Sequence, residues 1–529
     1  MDACLSLFNE KVLIPKLERL ELSSINIPKI WSDQALHCFQ KLLTLNVTDC
    51  CNLKYLMTLS MAGSLVNLQS LSLCSCEMME DIFHPEDIKQ NVGIFPSLKK
   101  MEIICMEKLN DICQSNIGLH SFSSLDSLTV MECHKLITIF PTYLEKTIQN
   151  LQRLTITNCK SIENIFGFGN SAQTCDISET NLHTLLLKEL PSLVHIWKDD
   201  TGETLKYNNL QSIIVEECPK LKYIFPLSIA NGLENLEILW VNDCGRMKQI
   251  VALVCGSGKN EITFKFPHLN TLSLHFLSEL VSFYEGRHTL DFPSLKKLFI
   301  SHWYKLEGFT TEIESSQEMP IVFAEKEICN LEEMAMGISD AEWLKNKYID
   351  SVHRMHKLQI LYLYELKNTE VLFWFLRRLP NIKSLSLRMG HMKRIWTPRR
   401  LISNEKIGVV TQLKELELIM LFNLEEIGFE HDPLLQRVER LVINECMKLK
   451  ILASSSISLS YLKDLEVVNC RLMKNLMTCS TATSLVQLTT MMIKSCPMIV
   501  EIIENEEEKN YCSMNSMASF IDREVEALD

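Results

Sequence analysis

Cysteine is the residue type whose spacing most directly suggests chemistry in this chain. Nine of its 20 cysteines recur at equivalent places along the sequence, namely Cys50, Cys76, Cys133, Cys159, Cys218, Cys244, Cys446, Cys470 and Cys496. Thiolates bind zinc and form disulfides, so a regular row of them could be a metal or redox site. However, the sequence has no Cys-x-x-Cys pair, and Met106, Leu190 and Trp303 occupy the same place elsewhere. We therefore expect nine buried, reduced, unpaired thiols that donate weakly to backbone carbonyls.

The other motifs of catalysis or cofactor binding are incomplete. The segment from Cys255 to Lys259 resembles a phosphate-binding loop, but Leu253 and Asn260 stand where the pattern requires glycine and a hydroxyl residue. The 14 histidines form no His-Glu-x-x-His motif, and no Gly-x-Ser-x-Gly occurs. The sequence therefore predicts no catalytic residues, no cofactor, no metal and no enzymatic activity.

Composition narrows the class of protein further. With 47% hydrophobic residues among 529, the chain is globular, and its net charge of -13 disfavours nucleic acid as a partner. No apolar run approaches the roughly 20 residues of a membrane span, the N-terminus lacks a signal-peptide pattern, and only one glycosylation sequon, Asn46-Val47-Thr48, is present. These features predict a cytoplasmic protein with no membrane span and no evident small-molecule substrate.

The elements that position the cysteines belong to a repeat. Its frame is L-x-x-L-x-L-x-x-C-x-x-L-x-x-I, with the cysteine at the ninth position. The frame begins 18 times, at Leu17, Leu42, Leu68, Leu98, Leu125, Leu151, Leu182, Leu210, Leu236, Leu269, Leu295, Leu331, Leu358, Ile382, Leu413, Val438, Leu462 and Leu488. The mean interval of about 28 residues is typical of leucine-rich repeats.

The frame predicts the fold class. Leucines at the fourth and sixth positions alternate with period two, so each repeat supplies one short strand, parallel to its neighbours. We expect an α/β solenoid, a leucine-rich-repeat horseshoe of about 18 repeats with a parallel β-sheet on the concave face. The frame is weakest between Leu331 and Trp396, where we expect strands to fail first.

The repeat frame also divides the chain into segments. Residues 1–16 form an N-terminal lead-in, residues 17–309 a first block of repeats and residues 331–502 a second block. Between the blocks lies a polar excursion over residues 310–330. Residues 503–529 are rich in acidic side chains, and we interpret them as a disordered tail.

Candidate binding residues come from the fifth frame position, which must face the concave side. In repeats 1 to 6 this position is polar, whereas repeats 7 to 13 read Leu186, Ile214, Trp240, Ser273, Phe299, Ala335 and Tyr362. Nearby positions that we expect to be exposed add His275, Phe276, His302 and Tyr364. Such residues either stack across strands to stabilise the sheet or form a protein-binding face. In the second case Trp240, Phe299 and Tyr362 are the expected anchors.

Several segments carry a family resemblance, among them FPSLKKMEIICMEKLNDI and LENLEILWVNDCGRMKQIV, together with the Phe-Pro-x-Leu entries at Phe95, Phe266 and Phe292 and the Cys-Pro turns at Cys218 and Cys496. They resemble the leucine-rich-repeat region of plant intracellular coiled-coil, nucleotide-binding disease-resistance proteins. The resemblance implies a sensing region without the nucleotide-binding domain. It also implies recognition of a pathogen effector, a guarded host protein or a full-length receptor in trans. A substrate adaptor for a ubiquitin ligase, or a general cytosolic scaffold, is the alternative function.

Overall fold

A computed structural model describes residues 6–8, 12, 14–32, 39–84, 93–112, 121–140, 149–166, 178–197, 205–252, 262–286, 288–300, 328–347, 352, 355–367, 369–395, 412–427, 437–453 and 457–504. The chain forms two compact units. The first comprises Met1–Ser294 with Lys305–Ile321, and the second comprises Leu295–Tyr304 with Val322–Asp529. The predicted excursion up to residue 327 and the tail from residue 505 lie outside the described residues.

The first unit contains a main sheet of short parallel strands that pair in sequence order. Leu154, for example, lies between Leu128 and Leu185 in strict register. The described strands are Arg19–Ser23, Thr44–Thr48, Ser70–Cys74, Lys100–Ile104, Ser127–Met131, Arg153–Thr157, Thr184–Lys188, Ser212–Glu216, Ile238–Asn242 and Thr271–His275.

The second unit repeats this arrangement. Its strands also pair in parallel and in chain order, so Leu361 lies between Met334 and Leu385. The described strands are Lys297–Ile300, Glu333–Gly337, Ile360–Tyr364, Ser384–Arg388, Glu415–Ile419, Arg440–Asn444, Asp464–Val468 and Thr490–Lys494. Both units are therefore parallel leucine-rich-repeat solenoids, as the sequence predicts.

The return side of each coil is built from shorter elements. In the first unit, one group of three short strands pairs in parallel: Thr138–Phe140, Asn164–Phe166 and His195–Trp197. The parallel pairs of short strands are Ser6–Phe8 with Lys29–Trp31, Met57–Thr58 with Phe83–His84, Ser178–Glu179 with Leu205–Lys206, Phe225–Pro226 with Val251–Ala252, and Ile262–Lys265 with His288–Asp291. In the second unit Asn475–Thr478 pairs with Glu501–Glu504. The described helices are Leu59–Ser64, Leu227–Ala230, Ile338–Lys347, Glu370–Arg378 and Cys479–Ala482, with a 3-10 turn at Ile328–Asn330.

The core lies between the main sheet and the return side. Leu185 and Leu187 are fully buried, whereas their neighbours Thr184, Leu186 and Lys188 are half-buried on the opposite side of the strand. We call this opposite side, which the sequence places on the concave face, the open side of the main sheet. The same alternation recurs in most main strands, because consecutive side chains point to opposite faces of a strand.

A left-handed residue ends most of the main strands. Sixteen described residues directly after a strand, such as Asp49 and Asn469, have φ between 50° and 58°. This conformation is unfavourable for residues other than glycine, so it needs compensation. In fourteen of the sixteen, the backbone amide supplies it by donating to a carbonyl of the next coil: Asp49 donates to the carbonyl of Cys74 at 3.0 Å, and Asn469 donates to the carbonyl of Lys494 at 2.9 Å. These turns thus link neighbouring coils.

The expectation that strands would fail between Leu331 and Trp396 is wrong. Three strands form there, and their inward residues Met334, Leu361 and Leu385 are fully buried. The frame weakens because the return segments are helices, over Ile338–Lys347 and Glu370–Arg378. Helices place apolar residues at intervals of three and four, so the return no longer follows the spacing of an extended coil.

The nine cysteines at the ninth frame position form a row in which every thiol makes the same hydrogen bond. Each of the nine thiols donates to the carbonyl two residues earlier, at distances such as 3.5 Å for Cys50 and 3.4 Å for Cys159. All nine are free thiols and eight are buried, but Cys496 is only partly buried, contrary to expectation. Cys496 belongs to the last described coil, which has no described neighbour on its outer side. Cys479, outside this row, is disulfide-bonded.

The length of the helices bears on membrane insertion. The longest described helix, Ile338–Lys347, has 10 residues. A helix needs about 20 predominantly apolar residues to cross a bilayer. Within the described parts of the chain, none therefore qualifies as a membrane span.

The two faces of one strand give the first testable prediction. Leu185→Ala removes a fully buried side chain and should lower the free energy of local unfolding by about 2–5 kcal/mol. The matched variant Leu186→Ala, one residue away on the open side, should cost only about 0.2–1 kcal/mol. Native-state hydrogen exchange of residues 184–188 measures both values. Equal costs would contradict the assignment of the two faces.

Thiol reactivity gives a second prediction. Burial raises the pKa of the Cys76, Cys446 and Cys470 thiols to about 12, so they remain protonated at pH 8. Because the thiolate is the nucleophile, iodoacetamide should modify exposed Cys51 at least tenfold faster than these three. Peptide mass spectrometry of the native protein after timed alkylation measures the rates, and a urea-unfolded sample provides the control in which they converge.

Candidate functional site

The open side of the first unit begins with polar side chains. The middle positions of its first six strands are Glu21, Asn46, Ser72, Glu102, Thr129 and Thr155. Three of them form polar contacts: the Asn46 amide donates to Glu21 at 3.1 Å, and the Lys100 ammonium lies 2.8 Å from Glu102. This part of the open side is a polar surface whose residues are exposed or half-buried.

The next three strands carry apolar instead of polar residues at the same middle position. Leu186 pairs in register with Ile214, and Ile214 pairs with Trp240. All three side chains are half-buried, so each retains apolar surface exposed to solvent. We call these three residues the Trp240 patch. On the far side of Trp240 the register continues to Ser273, which is fully buried.

Charged groups border the Trp240 patch along the ends of its strands. The Lys188 ammonium lies 3.4 Å from the Glu216 carboxylate and 4.0 Å from that of Glu189. Glu217 and Asp243 follow at the left-handed positions of the next two coils, and both are exposed. The patch is therefore an apolar surface with a predominantly acidic border.

The neighbouring residues predicted to be exposed have different environments. His275 is only 8% exposed, so its imidazole is largely withdrawn from solvent. Phe276 is 38% exposed, because the left-handed turn at this residue directs its ring away from the core. The two rings lie 6.1 Å apart. His302 lies outside the described residues.

The second unit contains a separate aromatic group on the open side of its own sheet. Phe299, Ala335 and Tyr362 occupy adjacent strands in register. The rings of Phe299 and Tyr362 approach to 6.3 Å at 52°, over the small side chain of Ala335. Phe299 is only 9% exposed, so it is not the open anchor that the sequence suggests. We call Phe299, Tyr362 and half-buried Tyr364 the Tyr362 patch.

Charged side chains fix the position of Tyr362. The Arg388 guanidinium lies 5.2 Å from the centre of the Tyr362 ring, a cation–π distance. Arg388 also forms an ion pair with Glu417 at 3.1 Å and donates to the hydroxyl of Ser386 at 2.9 Å. On the opposite side, Lys297 lies 2.8 Å from Glu333. These ion pairs are partly exposed, so they orient the ring rather than stabilise the fold strongly.

The electrostatic environment keeps both tyrosines of this patch neutral. Burial, together with the charge and hydrogen bond of the Glu333 carboxylate, raises the pKa of Tyr362 to about 12. Burial also raises the pKa of Tyr364, although the positive charge of Arg388 lowers it slightly. Both phenols are therefore hydrogen-bond donors at physiological pH, a property useful in binding.

The charged residues beside the Tyr362 patch were not identified in the sequence analysis. Glu333, Arg388 and Glu417 lie at the third, seventh and fifth frame positions of three different repeats. All three positions face the open side. Oppositely charged residues at such positions in neighbouring repeats could therefore have indicated ion pairs across the strands. The sequence does not show, however, which of several side chains the long Arg388 contacts.

A metal site requires several ligand side chains that converge on one point. In that part of the chain, no three or more His, Cys, Asp or Glu side chains come together in an arrangement that could hold a metal ion. What the two patches offer is apolar and aromatic surface with polar borders, which suits contact with another macromolecule.

Comparison with known proteins shows what the first unit is similar to. A family model described as "Plant disease resistance protein RPS2-like, leucine-rich repeats" matches residues 16–156 and 111–245. These matches include the first nine main strands and all residues of the Trp240 patch. The second unit lies outside them.

Two curated relatives come from Arabidopsis thaliana. "Putative disease resistance protein At4g19050" is 28% identical over 153 residues, which are 29% of this chain and 11% of the relative. "Probable disease resistance protein At4g27220" is 30% identical over 133 residues, 23% of this chain and 14% of the relative. The matched part thus spans a small fraction of either relative's length.

Among solved structures, the "leucine-rich repeat domain of the type III effector XCV3220 (XopL)" matches with a TM-score of 0.25 and 17% identity, over 52% of this chain and 71% of that one. The family-model match lies in the first unit. Residues 16–245 are therefore similar to the leucine-rich repeats of plant disease-resistance proteins, and both units of the chain have the parallel repeat fold.

Proposed function

We propose that this chain is a non-enzymatic protein-recognition module of plant innate immunity. It binds a pathogen-derived protein, a guarded host protein or a full-length receptor through the open side of its sheets, within the cytoplasm. The observation that carries the proposal is the Trp240 patch, three large apolar side chains on adjacent strands with a charged border. It lies within the segment that matches disease-resistance repeats.

The Trp240 patch has the composition of a binding surface. Six consecutive strands before it carry polar residues at the middle position, which is the usual choice for the exposed face of a sheet. Replacing them by leucine, isoleucine and tryptophan leaves apolar surface in water, which is unfavourable unless something covers it. Tryptophan is also enriched among the residues that dominate binding energy.

The Tyr362 patch supports recognition by a different means. Tyr362 and Tyr364 present aromatic surface and neutral hydroxyl groups, and Arg388 and Glu333 hold the Tyr362 ring in place. A ring that is already ordered loses little conformational entropy when a partner binds. Phe299 contributes by supporting Tyr362 rather than by direct contact, since it is nearly buried.

Cross-strand stacking is the competing account of the same residues. Adjacent apolar residues stabilise a sheet without any ligand, and the Phe299–Tyr362 contact is of this kind. The two accounts differ in what alanine substitution affects. If these residues only stack, alanine substitution lowers the stability of the sheet and leaves partner binding unchanged. If they recognise a partner, alanine substitution weakens binding by more than the loss of stability explains. A ubiquitin-ligase substrate adaptor would use the same surfaces and is distinguished by the identity of its partners.

The third prediction concerns binding. Partners are first isolated by two-hybrid screening of the chain against a library of pathogen effectors and host proteins. Trp240→Ala and Tyr362→Ala should each weaken a partner that covers the respective patch by about 1–2 kcal/mol, or roughly 5- to 30-fold in Kd, because each removes a large contact residue. Isothermal titration with the purified partner measures the effect.

A matched control is available at the same frame position. Thr129→Ala removes a half-buried side chain from the polar part of the first unit and should leave both Kd and the unfolding midpoint nearly unchanged. Partners that bind both aromatic variants as tightly as the unmodified protein would show that recognition lies elsewhere and that the patches only stabilise the sheets.

A further inference from the structure

The Trp240 patch coincides with a change of charge on the same three coils. The seventh and eighth frame positions lie at the end of each main strand, where the seventh faces the open side and the eighth is the left-handed residue. In the three coils of the patch, these six positions include four carboxylates, at Glu189, Glu216, Glu217 and Asp243. The twelve equivalent positions of the six preceding coils include two, at Asp49 and Glu132. Apolar residues at the middle of the strand and acidic residues at its end therefore occur together.

The protein itself neutralises only part of this acidic charge. The Lys188 ammonium lies between two of the carboxylates, 3.4 Å from Glu216 and 4.0 Å from Glu189. Glu217 and Asp243 are exposed and have no ion-pair partner among the described residues. Two carboxylates next to the apolar surface are thus available to a cation from outside.

The remaining charged residues of the three coils do not reverse the sign. Between the second and eleventh frame positions they are Glu237, Lys220 and Arg246. Lys220 and Arg246 lie on the turns, three residues farther along the chain than Glu217 and Asp243. Carboxylates therefore outnumber cations by five to three around the patch, and the cations are farther from it in sequence.

The carboxylates lie close enough to contact a segment bound on the patch. Positions five and seven of one strand are two residues apart, which separates their Cα atoms by about 7 Å. Adjacent strands are ~4.8 Å apart, so the three coils span about 10 Å, a distance that three residues of an extended chain cross. One short segment can therefore place an apolar side chain on the patch and a cation at the border.

We propose that the partner bound at the Trp240 patch presents a basic segment. In this segment an apolar side chain contacts Leu186, Ile214 and Trp240, and flanking lysine or arginine side chains pair with Glu217 and Asp243. This inference rests on the proposed function, because it names the partner chemistry of the same surface. It distinguishes the Trp240 patch from a surface that accepts any apolar segment.

The physical reason is the removal of water when the patch is covered. Ion pairs at the border become stronger as the local dielectric constant falls, whereas a carboxylate left without a partner loses hydration at a cost. A neutral or acidic segment would leave Glu217 and Asp243 in that unfavourable state. Phosphates of a nucleic acid or an anionic membrane, and the same patch of a second copy, would be repelled for the same reason.

The Tyr362 patch provides a contrast within the same chain. The charged groups beside it already pair with each other, since Lys297 lies 2.8 Å from Glu333 and Arg388 lies 3.1 Å from Glu417. Two cations and two carboxylates leave no excess charge. A partner of the Tyr362 patch therefore needs no basic character, and charge selection is specific to the Trp240 patch.

The test uses the full chain as bait for a phage library of random linear peptides. Peptides that the unmodified protein retains and the Trp240→Ala variant does not retain are those that depend on the patch. Among these peptides, lysine and arginine should exceed aspartate and glutamate by roughly threefold relative to the unselected library, beside at least one large apolar residue.

A neutralising variant tests the ion pairs directly. Glu216→Gln with Glu217→Gln and Asp243→Asn should raise the Kd of a fluorescein-labelled selected peptide roughly tenfold in about 0.05 M NaCl, measured by fluorescence polarisation. In about 0.5 M NaCl the difference should shrink to roughly twofold, because salt screens exposed charges. Asp243→Asn alone changes an exposed left-handed residue to one that suits this conformation, so it keeps the test valid if the triple variant is unstable. It should raise the Kd about twofold at the lower salt concentration.

A matched control removes the same number of charges from the polar part of the first unit. Glu102→Gln with Asp126→Asn and Glu132→Gln should leave the Kd nearly unchanged at both salt concentrations. Thermal unfolding followed by circular dichroism reports whether each variant remains folded.

The possible failures are distinguishable. Trp240-dependent peptides without a basic excess, or a Kd that neutralisation leaves unchanged, would overturn the inference and still support recognition at the patch. The absence of any Trp240-dependent peptide would contradict both the inference and the use of this patch for recognition. Trp240-dependent self-association in light scattering, in place of peptide binding, would identify a second copy as the occupant and would also overturn the inference.

Discussion

A single coil of this chain cannot bury its own leucines, and the rest of the structure depends on that constraint. Each coil contributes only two inward side chains from its main strand, such as Leu185 and Leu187, and they are buried because further coils lie on both sides. Parallel pairing in strict register is the arrangement that brings equivalent leucines together. The amides of most left-handed residues after the strands strengthen the stack by donating to the next coil.

Stacking also separates structural from functional positions within each strand. Inward residues must remain apolar, whereas outward residues on the open side can vary without changing the fold. The chain varies them strongly, from the hydrogen-bonded Glu21 and Asn46 to the apolar Leu186, Ile214 and Trp240. The open side is consequently the part of each unit where binding specificity can change at little cost to stability.

The same constraint explains the irregular features. Where the return segments are helices, as at Ile338–Lys347, the leucine frame is lost on the return although the strand before it is retained. Where no described coil follows, Met491 and Ile493 are only partly buried. Cys496 is likewise only partly buried, whereas the other eight thiols of the cysteine row are buried. Burial on the open side also depends on the size of neighbouring side chains. Ala335 is fully buried because the larger Phe299 and Tyr362 lie on the adjacent strands.

The repeat, the parallel sheet, the inward face of each strand and the packing of the cysteine thiols all follow from a local periodicity that every coil repeats, so they could be predicted from the amino-acid sequence. It also placed Leu186, Ile214 and Trp240 on one face, since register follows directly from the frame. The solvent exposure of each outward side chain, in contrast, follows from the packing of neighbouring coils and could not be predicted. His275 and Phe299 occupy positions that sequence assigns to the open side, yet they are 8% and 9% exposed. Exposure depends on the size and rotamer of side chains in neighbouring coils, and the long reach of Arg388 to Tyr362, Ser386 and Glu417 shows that no rule of spacing specifies those contacts.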